Sequence, residues 1–132
     1  MSINQPLIVI VDDNEFNLEI LNKNLKVAGY TNIRDFSDGV QAWDYMQENS
    51  KIDIAILDRM MPIMTGLELA QKMKNDPRLK DIPIIFQTVY KEQECFEECM
   101  EAGAFSYITK PFDQDILKSE LSKALKHTKK LK

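Results

Sequence analysis

Short unbroken apolar runs alternate along this chain with longer stretches in which apolar residues return every third or fourth position. The run Leu7 to Val11 reads as a strand buried on both faces, since a strand covered on one side only would alternate with polar residues. Behind it Asn14 is a good N-cap, and Phe16, Ile20, Leu21, Leu25 and Ala28 recur at helical spacing until Gly29 ends the element. Asn32 to Ser37 is a second strand of weaker pattern, and Ser37 or Asp38 then caps a helix through Val40, Ala42, Trp43 and Met46. A third strand, Ile52 to Leu57, stops at a carboxylate, Asp58, and Pro62 and Gly66 force a loop behind it. Leu67, Leu69, Ala70 and Met73 give a third helix, ended by Asp76-Pro77.

Pro83 to Phe86 forms a fourth strand that runs into Gln87-Thr88. From Lys91 to Ala102 the spacing predicts an acidic helix. Glu92, Glu94, Glu97, Glu98 and Glu101 face outward, Cys95, Cys99 and Met100 inward, and Phe96 lies near the boundary. Gly103 closes it, Phe105 to Thr109 is a fifth strand, and Lys110-Pro111-Phe112 follows. A last helix from Asp113 uses Ile116, Leu117, Leu121, Ala124 and Leu125, and ends in lysines that suit the helix dipole. Strand and helix thus alternate five times. Repeated βα units imply an α/β fold, a parallel sheet with helices on both faces, in one domain over residues 1–132 with its core at 7–127.

Composition changes this picture little. The 132 residues suit a single core, and 44% hydrophobic with 29% charged residues describes an ordinary soluble globular protein. A net charge of −4 argues against general affinity for nucleic acid or an anionic membrane. No apolar run approaches the ~18 residues of a membrane-spanning helix, and Met1 to Pro6 lacks the pattern of a secretory signal. Cys95 and Cys99, four apart in a helical pattern, read as reduced core thiols of a cytoplasmic protein, and His127 as a solvated side chain.

Chemistry concentrates where the strands end. In open α/β sheets ligands bind beyond the carboxyl ends of the strands, near the point where strand order reverses. Those ends carry Asp12 and Asp13, then Asp58, Thr88 and Lys110. Three carboxylates meeting in one crevice would repel one another, and an all-oxygen donor set calls for Mg²⁺ or a similar hard ion such as Mn²⁺. Lys110 adds a point charge and Thr88 a hydroxyl, so with a metal they can hold the equatorial oxygens of a phosphoryl group in transfer. One carboxylate is then the nucleophile. Asp12-Asp13 is a pair suited to metal, and Asp58 stands singly on its own strand, which marks it as the acceptor.

With these residues in view, the chain resembles the receiver domain of two-component response regulators, the CheY-like family. The resemblance is carried by Val11-Asp12-Asp13-Asn14, Asp58-x-x-Met61-Pro62-x-Met64-x-Gly66, Thr88, Tyr107 and Lys110-Pro111-Phe112, in order over residues 7 to 127. It implies the flavodoxin-like strand order 2-1-3-4-5, for which this family is itself a standard example. It also implies that Asp58 takes a phosphoryl group from a histidine kinase or histidine phosphotransfer protein. Asp13 would bind Mg²⁺ directly, Asp12 largely through water, and Met60 through its backbone carbonyl. Thr88 and Lys110 would bind phosphoryl oxygens, with a cis Lys110-Pro111 bond. Thr88 and Tyr107 would switch, altering the surface of the fourth helix, fifth strand and fifth helix for a downstream protein partner. The module would be a signalling phosphoacceptor and not an enzyme, monomeric or weakly dimeric.

Two positions depart from the family pattern. Val89 stands where Ala or Gly is common, and its branched bulk is expected to slow phosphoryl exchange; Gln87 puts an amide where an apolar residue is usual. Competing readings are weaker. A Mg²⁺-dependent aspartyl-phosphate phosphatase would carry a general acid two residues after the nucleophile, where this chain has Met60. A flavin or nucleotide carrier would need a Gly-rich phosphate loop. A degenerate receiver, acting as an interaction module without phosphate, fits poorly with an intact acid set.

Overall fold

The computed structural model describes residues 5–89, 93–110 and 113–131. Five strands and five helices alternate: β1 (Ile8–Val11), α1 (Glu15–Val27), β2 (Ile33–Phe36), α2 (Gly39–Glu48), β3 (Ile54–Asp58), α3 (Gly66–Lys74), β4 (Ile84–Thr88), α4 (Gln93–Glu101), β5 (Ser106–Thr109) and α5 (Gln114–Leu131). All pairings are parallel, in the order β2-β1-β3-β4-β5. This is the expected CheY-like, flavodoxin-like sheet. Strand order reverses between β1 and β3, so the crevice of such a sheet opens beyond Val11 and Asp58.

The unbroken apolar runs are explained by the two cores. Val9, Val11, Ala55, Leu57, Ile84 and Phe86 face one, beneath α2, α3 and α4. Ile8, Ile10, Ile54, Ile56, Ile85 and Ile108 alternate with them and face the other, beneath α1 and α5. A strand with helices on both sides has no solvent face to make polar.

Two strands reach further than their apolar runs. β3 includes Asp58 and β4 includes Gln87 and Thr88, so these polar residues are held by the ladder and not by a loop. The helix ends follow their caps. Asn14 accepts from the Asn17 N–H, Asp38 rather than Ser37 accepts from the Gln41 N–H, and Thr65 with Glu68 forms a reciprocal capping box.

Several helical positions read as apolar stripe lie outside the core. α1 buries Leu18, Leu21 and Leu25, which leaves Phe16 and Ile20 exposed; α2 buries Ala42 and Met46 and exposes Val40. α5 buries Leu117, Leu121 and Ala124 and exposes Ile116. In α4 only Cys99 is buried among the described residues, and Met100, expected inward, is exposed. Residues 91–92 of the expected acidic helix, and Pro111-Phe112 with the expected cis bond, lie outside the described residues.

The loop after β3 is shaped by two backbone features. A Cβ on Gly66 would come within 2.0 Å of the Asp58 carbonyl oxygen, so only glycine lets the first turn of α3 press against the strand end. Ile63, 90% exposed, sits at φ 70°, a left-handed conformation unusual for a β-branched residue. The close approach at Gly66 and the turn at Ile63 lead the chain from Asp58 into α3.

Candidate functional site

Asp12 follows β1 and keeps the alternation of Ile8 and Ile10, Asp58 that of Ile54 and Ile56, and Lys110 that of Ile108. All three therefore emerge on the α1/α5 face at the carboxyl edge of the sheet. Carboxylate oxygens of Asp12, Asp13 and Asp58 lie within 4.8 Å of one another. Asp12 is fully buried, Asp13 exposed and Asp58 between the two.

Lys110 is the counter-charge. Its Nζ lies 2.9 Å from Asp12 Oδ2 and 3.8 Å from Asp58 Oδ1, and its backbone N–H donates to the Thr88 carbonyl at 2.6 Å. The other Asp12 oxygen, Oδ1, accepts the Asn14 N–H at 2.9 Å. The Gln87 side chain, also buried, directs its Nε2 to Asp12 Oδ2 at 3.4 Å. Asp12 is thus held on both oxygens from three different segments.

One lysine does not neutralise three acids. Two carboxylates near 4.8 Å repel by about 3–4 kcal/mol at an effective dielectric of 20. Burial and the neighbouring Asp12 push the Asp58 carboxyl up to about 7; Asp13 adds to the rise and Lys110 opposes it. The donor set is three oxygen acids without His or Cys, which fits a hard divalent cation. Asp12, with both oxygens already bonded, is the least open of the three to direct ligation; Asp13 and Asp58 are the more open.

The remaining sequence-marked residues lie nearby in the topology. Thr88 is buried as the last residue of β4, next to the Gln87 that pairs in register with Asp58. Met60 is exposed in the loop after Asp58, and Val89 is exposed immediately after Thr88. Tyr107 on β5 is half-buried against the α2/α3/α4 core, its ring edge-on to Phe96 of α4 with centroids 5.7 Å apart. Burial pushes the Cys99 thiol up to about 11, as for an inert core thiol, and His127 is exposed against the Phe105 ring.

Two contacts carry no sequence signal of their own. Arg59, directly after Asp58, forms an ion pair with Glu98 on α4, which ties the loop after β3 to that helix. Gln87 was conspicuous as an amide in an apolar strand, but its partner Asp12 is 75 residues away in the chain.

Residues 8–122 match the model of the response regulator receiver domain family. The chain belongs to this family. Chemotaxis protein CheY1 of Helicobacter pylori is 34% identical over 118 residues, which cover 89% of this chain and 95% of that one. The phosphate regulon transcriptional regulator PhoB of Pseudomonas aeruginosa is 36% identical over 121 residues, 92% of this chain and 52% of that longer protein. Among solved structures, chemotaxis protein CheY4 of Vibrio cholerae superposes with a TM-score of 0.85 at 28% identity, over 92% of this chain and all of that one. The receiver domain of a Pseudomonas aeruginosa sensor histidine kinase also reaches 0.85, at 25% identity, over 93% of this receiver and 99% of that chain; it holds a magnesium ion in its active-site cleft.

Proposed function

We propose that this receiver, a two-component response regulator module, accepts a phosphoryl group on Asp58 from the phosphohistidine of a histidine kinase or histidine phosphotransfer protein. The observation that carries the reading is the cluster itself: three carboxylates within 4.8 Å, with one lysine shared between Asp12 and Asp58. An Asp58 oxygen forms the new bond to phosphorus as the phosphorus–nitrogen bond of the donor breaks. The imidazole leaves with the bonding pair and takes a proton from solvent. Asp58 must be ionised to attack, and Lys110 favours that form against the burial and acid neighbours that oppose it.

Asp13 and Asp58, with Asp12 through water and the Met60 carbonyl, would hold Mg²⁺ or Mn²⁺. Such an ion offsets the charge of the carboxylates and of the incoming phosphoryl oxygens. Lys110 and the Thr88 hydroxyl bind the phosphoryl oxygens and orient them. Val89, 61% exposed directly after Thr88, narrows access and slows exchange.

The group adds about −1.5 to −2 charge beside Lys110. Thr88 and Tyr107 respond, and through Phe96 and the Arg59–Glu98 pair the surface of α4, β5 and α5 is read by a downstream protein. In this reading the receiver is a cytoplasmic phosphoacceptor, monomeric or weakly dimeric, that turns over no external substrate and contacts no nucleic acid. Incubation with acetyl phosphate and Mg²⁺ tests it. Intact mass is expected to show one base-labile phosphoryl group, lost in Asp58→Asn and when Mg²⁺ is chelated. A wild-type chain that gains no mass from this donor or from a phosphorylated histidine phosphotransfer protein contradicts the reading.

A further inference from the structure

The β4 alternation places Gln87 with Ile85 on the α1/α5 face, where Asp12, Asp58 and Lys110 emerge. The side chain is 2% exposed, so its amide is aimed into the protein and not into water. Nε2 lies 3.4 Å from Asp12 Oδ2, the same oxygen that Lys110 Nζ approaches at 2.9 Å. Lys110 stands also 3.8 Å from Asp58 Oδ1, between the two acids.

We propose that Gln87 is a positioning residue of the acceptor centre, whose amide keeps Asp12 bonded when Lys110 turns to the phosphoryl oxygens on Asp58. The inference rests on the phosphoacceptor reading above. A fully buried carboxylate oxygen left without a donor carries the desolvation penalty of the charged group. With an apolar residue at position 87, Lys110 would be the one N–H side-chain donor to Asp12 Oδ2 among those described, and would be held there. With Gln87 present, the long 3.4 Å contact can shorten as Lys110 departs. The same amide competes with a metal-bound water for Asp12 Oδ2. Gln87 therefore speeds loading and weakens metal binding, two effects of opposite sign that space-filling alone would not produce.

Gln87→Met keeps the length of the side chain and removes its donors. Mg²⁺ binding to the unphosphorylated full chain is measured by calorimetry, and loading from acetyl phosphate at saturating Mg²⁺ by intact mass. The expected split is loading about ten-fold slower, the low end of the scale of one hydrogen bond to a charged group, and Mg²⁺ bound tighter by about three-fold, less than that scale because the competition is indirect. In an Asp12→Asn background the effect of Gln87→Met on Mg²⁺ binding is expected to vanish, because the two act as one unit. Unchanged values, or both values worsening together with a lower Tm, overturn the proposal.

Should Gln87→Met not fold, the wild-type side-chain amide resonances of Gln87 decide. They are expected to move on adding Mg²⁺ and again on adding beryllofluoride, and resonances that stay fixed through both overturn the proposal. A wild-type chain that takes no phosphoryl group refutes the acceptor reading itself. Normal loading in wild type with an identical Gln87→Met refutes only the role of Gln87.

Discussion

The carboxyl edge of β1 and β3 and the surface of α4 lie on either side of Arg59, and they are built in opposite ways. At the strand edge, fully buried Ile8, Ile10, Ile54 and Ile56 fix the backbones that carry Asp12 and Asp58, so like charges stay close although they repel. α4 contributes one buried side chain, Cys99, whereas α3 buries Leu69, Ala70 and Met73. A large apolar side chain contributes about 1.5–3 kcal/mol on burial, so α4 is held several kcal/mol more weakly than α3. Its other ties among the described residues include exposed or half-exposed groups: the Arg59–Glu98 pair and the edge-on contact of Phe96 with Tyr107. A rigid charged centre can hold strain, and a lightly anchored helix can register a change in it. In the proposed reading, the first region senses and the second responds.

Removing the counter-charge breaks the first region most severely. Lys110→Met leaves buried Asp12 and its two acid neighbours without their lysine, and a loss of about 3–5 kcal/mol in the metal-free protein is expected. Chemical denaturation with and without Mg²⁺ checks this; the ion should recover more stability in the variant than in wild type.

The charge on Asp58 itself has the opposite sign of effect. Its folded carboxyl titrates near 7, against an ordinary value of 3.8, so the native state holds the proton longer than the unfolded chain. Stability of the metal-free protein therefore falls as pH rises from about 4 to about 7 and is level, for this group, above that. Asp58→Asn removes the cost. Denaturation in a chelator is expected to show the variant more stable above pH 7, by roughly 1–2 kcal/mol once solvent screening reduces the effect, with the gain gone near pH 4.

The smallest effect sharpens the second region. Arg59→Ala cuts the tie to Glu98 and is expected to cost under about 1 kcal/mol globally, as half-exposed ion pairs do. Hydrogen exchange should nonetheless quicken across α4 and leave β1 and β3 unchanged. Uniform quickening would mean that α4 is not the separately anchored element described.

The sheet and the acid set were legible in the sequence for a physical reason. Strands buried on both faces leave unbroken apolar runs, and the charges that interrupt them at Asp12, Asp58 and Lys110 stand out against that background. Helical faces were less legible. α1 carries Phe16 and Ile20 beside Leu18, Leu21 and Leu25, both sets at helical spacing, and only the sheet decides which set packs. Met100 in α4 is exposed for the same reason: it is one apolar residue more than the narrow contact with the sheet needs. The partners of Gln87 and Arg59 were not legible at all. Each joins segments brought together only by the parallel topology, 75 and 39 residues apart.

The central claim is that, of three acids within reach of one another, Asp58 takes the phosphoryl group. Reduction of the loaded protein with borohydride converts an acyl phosphate to homoserine and so marks the acceptor in the peptide map. Homoserine at position 58 alone is the expected result. Homoserine at position 12 or 13, or phosphate retained on a residue that borohydride does not reduce, would contradict the account.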